Sequence, residues 1–264
     1  MTNTRAWHGG NSLALAMLIV AGLTGCAGGC PLPSSPVPAQ QEWERDLEHK
    51  RVLALDPHSP IAIKRDVHNL VVAADARALA EAFHQVMTDP TRRFGLITVN
   101  RVSGRAGQPF VLGERFQGRY SIEGSVRQQL EGKWERAFGK AAGHEAVRQF
   151  FCRVENETTS DYGVIDLLQL DPPAGRPFML RYRYLEGTPI AGSSTFIITQ
   201  LGPGQSQLTQ IFEYQELEAA FTAFFSAGGL QLHNQVVYSQ TEQAAALIGT
   251  HVVSSDIPVA YAHL

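Results

Sequence analysis

Four runs with a two-residue hydrophobic period follow one another closely in the second half of the chain: Tyr162 to Leu170, Phe178 to Leu185, Ser194 to Leu201 and Gln207 to Tyr214. A strand alternates its side chains between two faces, so such runs need a sheet with one face buried. In the second run Phe178, Leu180, Tyr182 and Tyr184 share a face, and Arg181 and Arg183 share the other. Gly202-Pro203-Gly204 between the third and fourth is a hairpin signal, making them antiparallel neighbours. Upstream, Phe110, Leu112, Glu114, Phe116, Gly118, Tyr120 and Ile122 form another alternating set, with Glu114 the exception to its apolar or small character. Ile61 to Val72 and Leu96 to Val102 also read as strands. The 24 Gly and 14 Pro bound the apolar residues into short runs, which favours strands over a helical bundle.

Helical spacing appears in three places. Asp75 opens a helix through Leu79, Ala82, Phe83 and Val86, stopped by Asp89-Pro90. Residues 124 to 150 place Val126, Leu130, Trp134, Phe138, Val147, Phe150 and Phe151 at helical intervals, a helical insertion among the strands. The third is the longest, Leu230 to Ile248. At about 100° per residue, Leu230, His233, Val237, Ala244 and Ile248 fall on one stripe with Leu247 at its edge, and that stripe is expected to face the sheet. Beyond Gly249 the stretch His251 to Leu264 reads as a short strand or an irregular tail. The class is α+β, with an antiparallel sheet and a long C-terminal helix.

The first residues read as an address. Arg5 precedes the apolar run Leu13 to Leu23, and a basic start, an apolar stretch of about 7 to 15 residues and a small-residue end make a secretory signal. The run falls short of the roughly 20 apolar residues that cross a bilayer comfortably. At its end Leu23-Thr24-Gly25-Cys26 resembles the lipobox of bacterial lipoproteins. That resemblance implies a signal peptide over residues 1–25, cleavage before Cys26, a diacylglyceryl thioether on its sulfur and an acylated new amino group, with chains of the palmitate kind. Each buried methylene contributes about 0.8 kcal/mol, so one chain holds marginally and two or three hold stably. A cysteine in an ordinary signal peptide, or an uncleaved anchor, are the alternatives. Ala27 stands where an Asp often marks inner-membrane retention, which leans toward the outer membrane. Residues 26–58 are expected as a lipidated cysteine and a tether rich in Pro, Gly and Ser, with a short solvated helix over Gln41 to Arg51. The folded domain is expected over 59–264.

Charge excludes one class of partner. With 18% charged residues and a net charge of -3, the chain has no field to attract nucleic acid. Of its three cysteines, Cys30 and Cys152 remain after Cys26. A disulfide between them competes with a buried free thiol at Cys152, after Phe150-Phe151. No Cys or His spacing suggests a metal site, and no cofactor is implied. Gly143-His144-Glu145 lacks the second His of a zinc-binding helix, and the surroundings of Ser193 lack the Gly of a nucleophile elbow.

An initial strand, small helices, serial antiparallel strands and a long terminal helix resemble the START-like, helix-grip superfamily, which includes polyketide cyclases. The resemblance covers Ile61 to Ile248 and rests on element order; the insertion near 124 to 150 departs from it. It implies a curved antiparallel sheet wrapped around the terminal helix, with an apolar cavity between them for lipids, sterols, polyketides or similar molecules. On that reading His233, Val237, Tyr182, Tyr184 and Glu114 are the candidate ligand-binding residues. Each has a plainer role: His233 as a hydrogen-bonded core histidine, the tyrosines as core packing, Glu114 turned outward by a bulge. Asp166 has apolar neighbours on both faces, so its orientation stays open.

Three functions are compatible with this sequence. The first is a lipid-anchored envelope module, periplasmic or surface-facing, that binds or carries an apolar small molecule; it needs no catalytic constellation, and the residues show none. The second is an enzyme of cyclase or hydrolase type with His233 and an acidic residue as acid and base. The third is an envelope assembly lipoprotein without a ligand.

Overall fold

A computed structural model describes residues 40–94, 97–120, 160–217, 221–222 and 230–257. All of them belong to the unit Leu32–Leu264; the other unit, Met1–Pro31, lies outside them. Cys26, Cys30, Cys152 and the expected insertion at 124 to 150 therefore lie outside the described residues.

Three helices and nine strands are described: α1 (Gln40–His49), β1 (Lys64–Val72), α2 (Ala76–Thr88), β2 (Arg93–Phe94), β3 (Ile97–Arg101), β4 (Arg115–Tyr120), β5 (Ser160–Gln169), β6 (Phe178–Tyr184), β7 (Ile190–Gly202), β8 (Gln205–Glu216), α3 (Leu230–Leu247) and β9 (Val252–Ser255). The strands form one antiparallel sheet in the order β2-β3-β4-β5-β6-β7-β8-β1-β9. Every neighbour except β1 follows in sequence, and β1 enters between the last two strands.

The sheet is curved. Laid flat, nine strands would separate the edge strands by about 38 Å, whereas a helix of this length spans about 27 Å. Yet α3 touches β2 at one edge and both β1 and β9 at the other. Such contacts require the sheet to curl round the helix. The second helix, α2, packs on β6, β7 and β8 and along α3. Leu79, Phe83 and Val86 of α2, Val237 and Ala244 of α3, and Leu70, Phe196 and Leu208 of the sheet meet in one core.

Sequence and structure differ in instructive places. The alternating run expected from Phe110 to Ile122 is a strand only from Arg115; before it, Gly113 at φ +83° turns the chain and breaks the alternation at Glu114. A bulge between Ile165 and Leu167 resolves Asp166 to the outer face, where it bonds Arg181 Nε (2.9 Å) and Arg183 Nε (2.7 Å). Those arginines are thus paired on the outer face. Within the stretch expected as a tether, α1 forms and buries Leu47 against Val164 and Leu185. Leu53 then bonds Tyr184, continuing the attachment to the sheet.

The terminal helix ends where expected, through Gly249 at φ +71°. Gly249 N–H donates to Ala246 (3.1 Å) and Thr250 N–H to Ala245 (3.0 Å), the paired bonds of a Schellman stop. Its buried stripe is shifted from the expected one. Asn234, Val237, Thr241 and Ala244 face inward, whereas Leu247 and Ile248 are 39% and 37% exposed because the helix has passed the sheet. Polar residues therefore line the buried face, and they need partners.

Gly192 sets the closeness of β7 and β8. It lies at φ +122°, and a Cβ there would stand 2.0 Å from the Glu213 carbonyl oxygen. At Gly118 a Cβ would meet only ordinary contacts at 3.5 Å. Gly192→Ala should cost more than about 2 kcal/mol in urea unfolding, and Gly118→Ala less than about 1 kcal/mol. Equal losses at the two glycines would refute this account of the close approach.

Candidate functional site

Register lays the inward side chains in transverse rows. Leu70 and Leu208 pair, Leu208 with Ile198 and Ile198 with Phe178, giving an apolar row. The next row runs His68, Gln210, Phe196, Leu180 and Leu168. Beyond it come Asp66, Phe212, Ser194, Tyr182 and Ile165. Lys64 opposite Tyr214 begins the last row. The inner face thus passes from apolar to polar and aromatic along the strands, and the polar end meets the first turns of α3.

Asp66 and His68 are two residues apart and so share the inner face. His68 Nε2 lies 2.8 Å from Asp66 Oδ2, and its Nδ1 lies 3.2 Å from Asp256 Oδ1 beyond β9. Burial opposes the charge on this imidazole, but the bonds to the two carboxylates outweigh it and hold His68 above its usual range. The bond to His68 lowers Asp66 in turn, against its own burial. Asn234 joins the helix to this pair. With its amide turned to suit its neighbours, its nitrogen donates to Asp66 Oδ2 (3.1 Å) and its oxygen accepts from His68 Nε2 (3.1 Å).

His233 is the next residue on α3, and its ring stacks on Phe212 at 4.0 Å and 19°. Phe212 also stacks on Tyr214 at 4.3 Å. Burial pushes His233 down to about 4, outweighing the charge of Asp66. It is therefore neutral at pH 7, with one nitrogen a donor and the other an acceptor. Tyr182 makes edge contacts with Phe116 (5.2 Å) and Tyr184 (5.6 Å), and its hydroxyl bonds Ser194 and Tyr184. Burial raises Tyr182 above its usual range, so its hydroxyl keeps the proton. Tyr214 is pushed up to about 12 by burial and by Glu216 and Asp66.

Tyr182 and His233 are each partly exposed among the rings at this end of the inner face. Tyr184 and Val237, 2% and 1% exposed, are core. Among the described residues no group of three His, Cys, Asp or Glu could hold a metal, and no helix is long and apolar enough to cross a membrane.

The chain has a helix-grip fold. Comparison with solved structures gives distant resemblances, among them norcoclaurine synthase from Thalictrum flavum (10% identity, 74% of this chain and 98% of that one, TM-score 0.46), and the Zhui aromatase/cyclase from a Streptomyces species (14%, 71% and 96%, 0.44). A major latex-like protein from Panax ginseng is similar at 12% identity over 70% and 97% of the two chains, TM-score 0.39. No protein-family model matches the sequence, and no curated protein matches it. The assignment of the grip therefore rests on the sheet order and on the helix that both edges touch.

Of the expected ligand-binding residues, the grip brings His233, Tyr182, Tyr184 and Val237 to one end. Glu114 stands apart. It lies in the turn before β4, buried, accepting from Arg101 Nε (2.7 Å), Arg105 Nη2 (3.2 Å) and the Val111 N–H (3.1 Å). Its carboxylate is thus neither turned outward nor beside His233 but paired with arginines beneath a loop. Asp66, His68, Phe212, Ser194 and Asn234 went unnoticed in the sequence. Counting back by twos from the buried Leu70 and Val72 reaches His68 and Asp66, but the apolar Ile63 and Val67, both 40% exposed, fit the opposite phase, so periodicity leaves the choice open.

The histidines predict opposite pH dependences. His68, raised, stabilises the fold fully below about pH 6.5 and loses that contribution as pH rises through its folded value. His233, lowered, stabilises above about pH 6.5 and loses that contribution as pH falls toward about 4. Ring titrations followed by NMR should place His68 above 6.5 and His233 near 4. The stability deficit of His68→Gln should shrink on going from pH 6 to pH 9, and a deficit that grows would contradict the ion pairing.

Proposed function

We propose that this protein is a lipid-anchored envelope protein that binds an apolar small molecule in the recess between the sheet and α3. The observation that carries the binding role is that Tyr182 and His233, among the rings between the sheet and α3, each keep part of their surface accessible. Ligand sites are concave, mainly apolar and furnished with a few oriented polar groups. Phe116, Tyr184, Phe212 and Ile165 pack behind these two as buried rings and an aliphatic backing. Neutral His233 and the protonated Tyr182 hydroxyl supply polar contacts without burying a net charge. Gln210 Oε1, buried behind them, has no partner among the described residues. A ligand with a ring or chain body and one or two polar groups suits this lining. The anchor is read from Leu23-Thr24-Gly25-Cys26 alone, and it places the grip beside a membrane that stores such molecules.

A second reading, an enzyme of the cyclase or hydrolase type, draws on the field of Asp66 at His233. The two would serve as acid and base. His68 cannot join them, because both of its nitrogens are committed to carboxylates.

Native mass spectrometry of full-length protein extracted in mild detergent should show a bound species of a few hundred daltons. His233→Trp, which fills the recess, should lose it, and 1-anilinonaphthalene-8-sulfonate should bind the unfilled protein at least tenfold better than the filled one. A protein that carries no small molecule and excludes the dye has no such role. For the anchor, Cys26→Ser should move the protein from the membrane fraction to the soluble one. An unchanged distribution would remove the lipid from the account without touching the recess.

A further inference from the structure

Strand β9 lies at the edge of the sheet and pairs with β1 through Leu70 and Ser255, Val71 and Ser254, and Val72 and Val252, with an irregularity between Val71 and Val72. So short and irregular a ladder leaves much of the attachment to the two ends of the strand. At its entry, Ala73 N–H donates to the His251 carbonyl (3.4 Å) and the Thr250 hydroxyl to the Ala73 carbonyl (2.9 Å). At its exit, Asp256 N–H donates to the Asn69 carbonyl (3.2 Å), and the Asp256 carboxylate accepts Asn69 N–H (2.9 Å) and Nδ2 (3.1 Å). The same carboxylate faces His68 Nδ1 at 3.2 Å. Ile257, next in the chain and 1% exposed, belongs to the core that holds Leu70, Val72 and Val237.

His68 therefore stands between two carboxylates, one on its own strand and one on the strap formed by residues 252–257. An imidazole donates from both nitrogens only while it carries both protons. With a single proton, one nitrogen turns a lone pair toward a carboxylate oxygen. Exposure decides which. The Asp66 side chain is 24% exposed and lies at 2.8 Å, whereas that of Asp256 is 45% exposed and lies at 3.2 Å. A carboxylate that loses its cation is costlier where water reaches it less, so the remaining proton belongs on Nε2 beside Asp66. The bare Nδ1 then opposes Asp256. The other groups facing His68 supply no replacement charge: Gln210 opposite it on β8 and Asn234 on α3 are uncharged, and His233 is neutral at pH 7.

We propose that His68 is a proton-operated catch for the C-terminal strap: with both protons it fastens Asp256 and closes residues 252–257 on β1, and with one it repels Asp256 and lets the strap open from its exit. Opening withdraws Ile257 from the core and bares the apolar flank of β1 beside α3. The entry end serves as the hinge, since its bonds come from the Ala73 and His251 backbone and the Thr250 hydroxyl, none of which titrates in this range. Burial opposes the charge on His68, but the two carboxylates outweigh it, so the catch is closed below about pH 6.5 and opens as pH rises through the His68 folded value.

The test follows hydrogen exchange in the full chain labelled with nitrogen-15, with each rate corrected for the intrinsic effect of pH. Protection of the Asn69 and Asp256 amides should fall at least tenfold between pH 6 and pH 9. The amides of Gly113 and Ile165, bonded on the other side of the sheet, should change less than twofold. Over the same range the His68 Nδ1 resonance should move to the position of an unprotonated ring nitrogen while Nε2 keeps its proton. Asp256→Asn, at a largely exposed position, should remove the pH dependence at the Asn69 amide, because its uncharged amide can meet either form of the ring. Level protection from pH 6 to pH 9, an equal loss at all four amides, a proton retained on Nδ1, or an unchanged pH dependence in Asp256→Asn would overturn the proposal.

Discussion

The bond between Asp66 and His68 sets the relation of sheet to helix. A carboxylate and an imidazole on the buried face of a strand are each costly alone, and each is tolerated because the other supplies the opposing charge within hydrogen-bond reach. The pair has bonding capacity left over, and Asn234 uses it from the facing helix. Once Asn234 is held at that point, α3 has one rotation about its axis. His233 must then lie over Phe212, Val237 must enter the core, and the last turn must leave the sheet. Apolar contacts alone would tolerate a helix rotated by some tens of degrees; a bond network of this kind does not. Register specified by buried polar groups is the best-attested use of such pairs.

The polarity of the inner face follows from the same requirement. At the end filled by α2, the rows hold Leu70, Leu208, Ile198 and Phe178, and the helix supplies Leu79, Phe83 and Val86 to close them. At the other end the strands offer aromatic rings edge to face, from Phe116 through Tyr182 and Tyr184 to Phe212. Rings set at such angles pack well against one another without filling every space between them. Gly163 allows this arrangement, because a Cβ there would come within 2.5 Å of the Phe116 ring. Thus one half of the grip is closed by α2 and the other by aromatic rings, with Tyr182 and His233 partly exposed among them.

Much of this was legible in the sequence. Phe178, Leu180, Tyr182 and Tyr184 read as one face, and they are one face; Gly202-Pro203-Gly204 read as a hairpin, and β7 and β8 pair on either side of it. Leu230 to Ile248 read as a helix almost to the residue. Three things were not legible. Backbone irregularity is one: the turn at Gly113 and the bulge at Ile165 shift the phase of a strand, and no periodicity carries across them. Phase is another: at β1 the apolar Ile63 and Val67 fit one phase and Leu70 and Val72 the other, so the sequence does not say which side Asp66 and His68 face. Tertiary pairing is the third. Nothing near Glu114 in the sequence distinguishes Arg101, its buried partner, from any other arginine, and nothing marks Gln40–His49 as a helix that covers Val164 and Leu185.

Three histidines in this fold show how neighbours rather than burial alone decide charge. His68, His84 and His233 are all withdrawn from water, which by itself disfavours the imidazolium. His68 meets a carboxylate at each nitrogen and is held above its usual range. His84 has Arg101 nearby as well as Glu114, and its one bonded nitrogen faces a backbone N–H, which a protonated ring could not accept. His233 faces an amide and an aromatic ring, with Asp66 too weakly felt to restore the charge. Two carboxylates therefore favour the cation on the first histidine, which ties strands together, whereas burial without such a partner leaves the other two neutral.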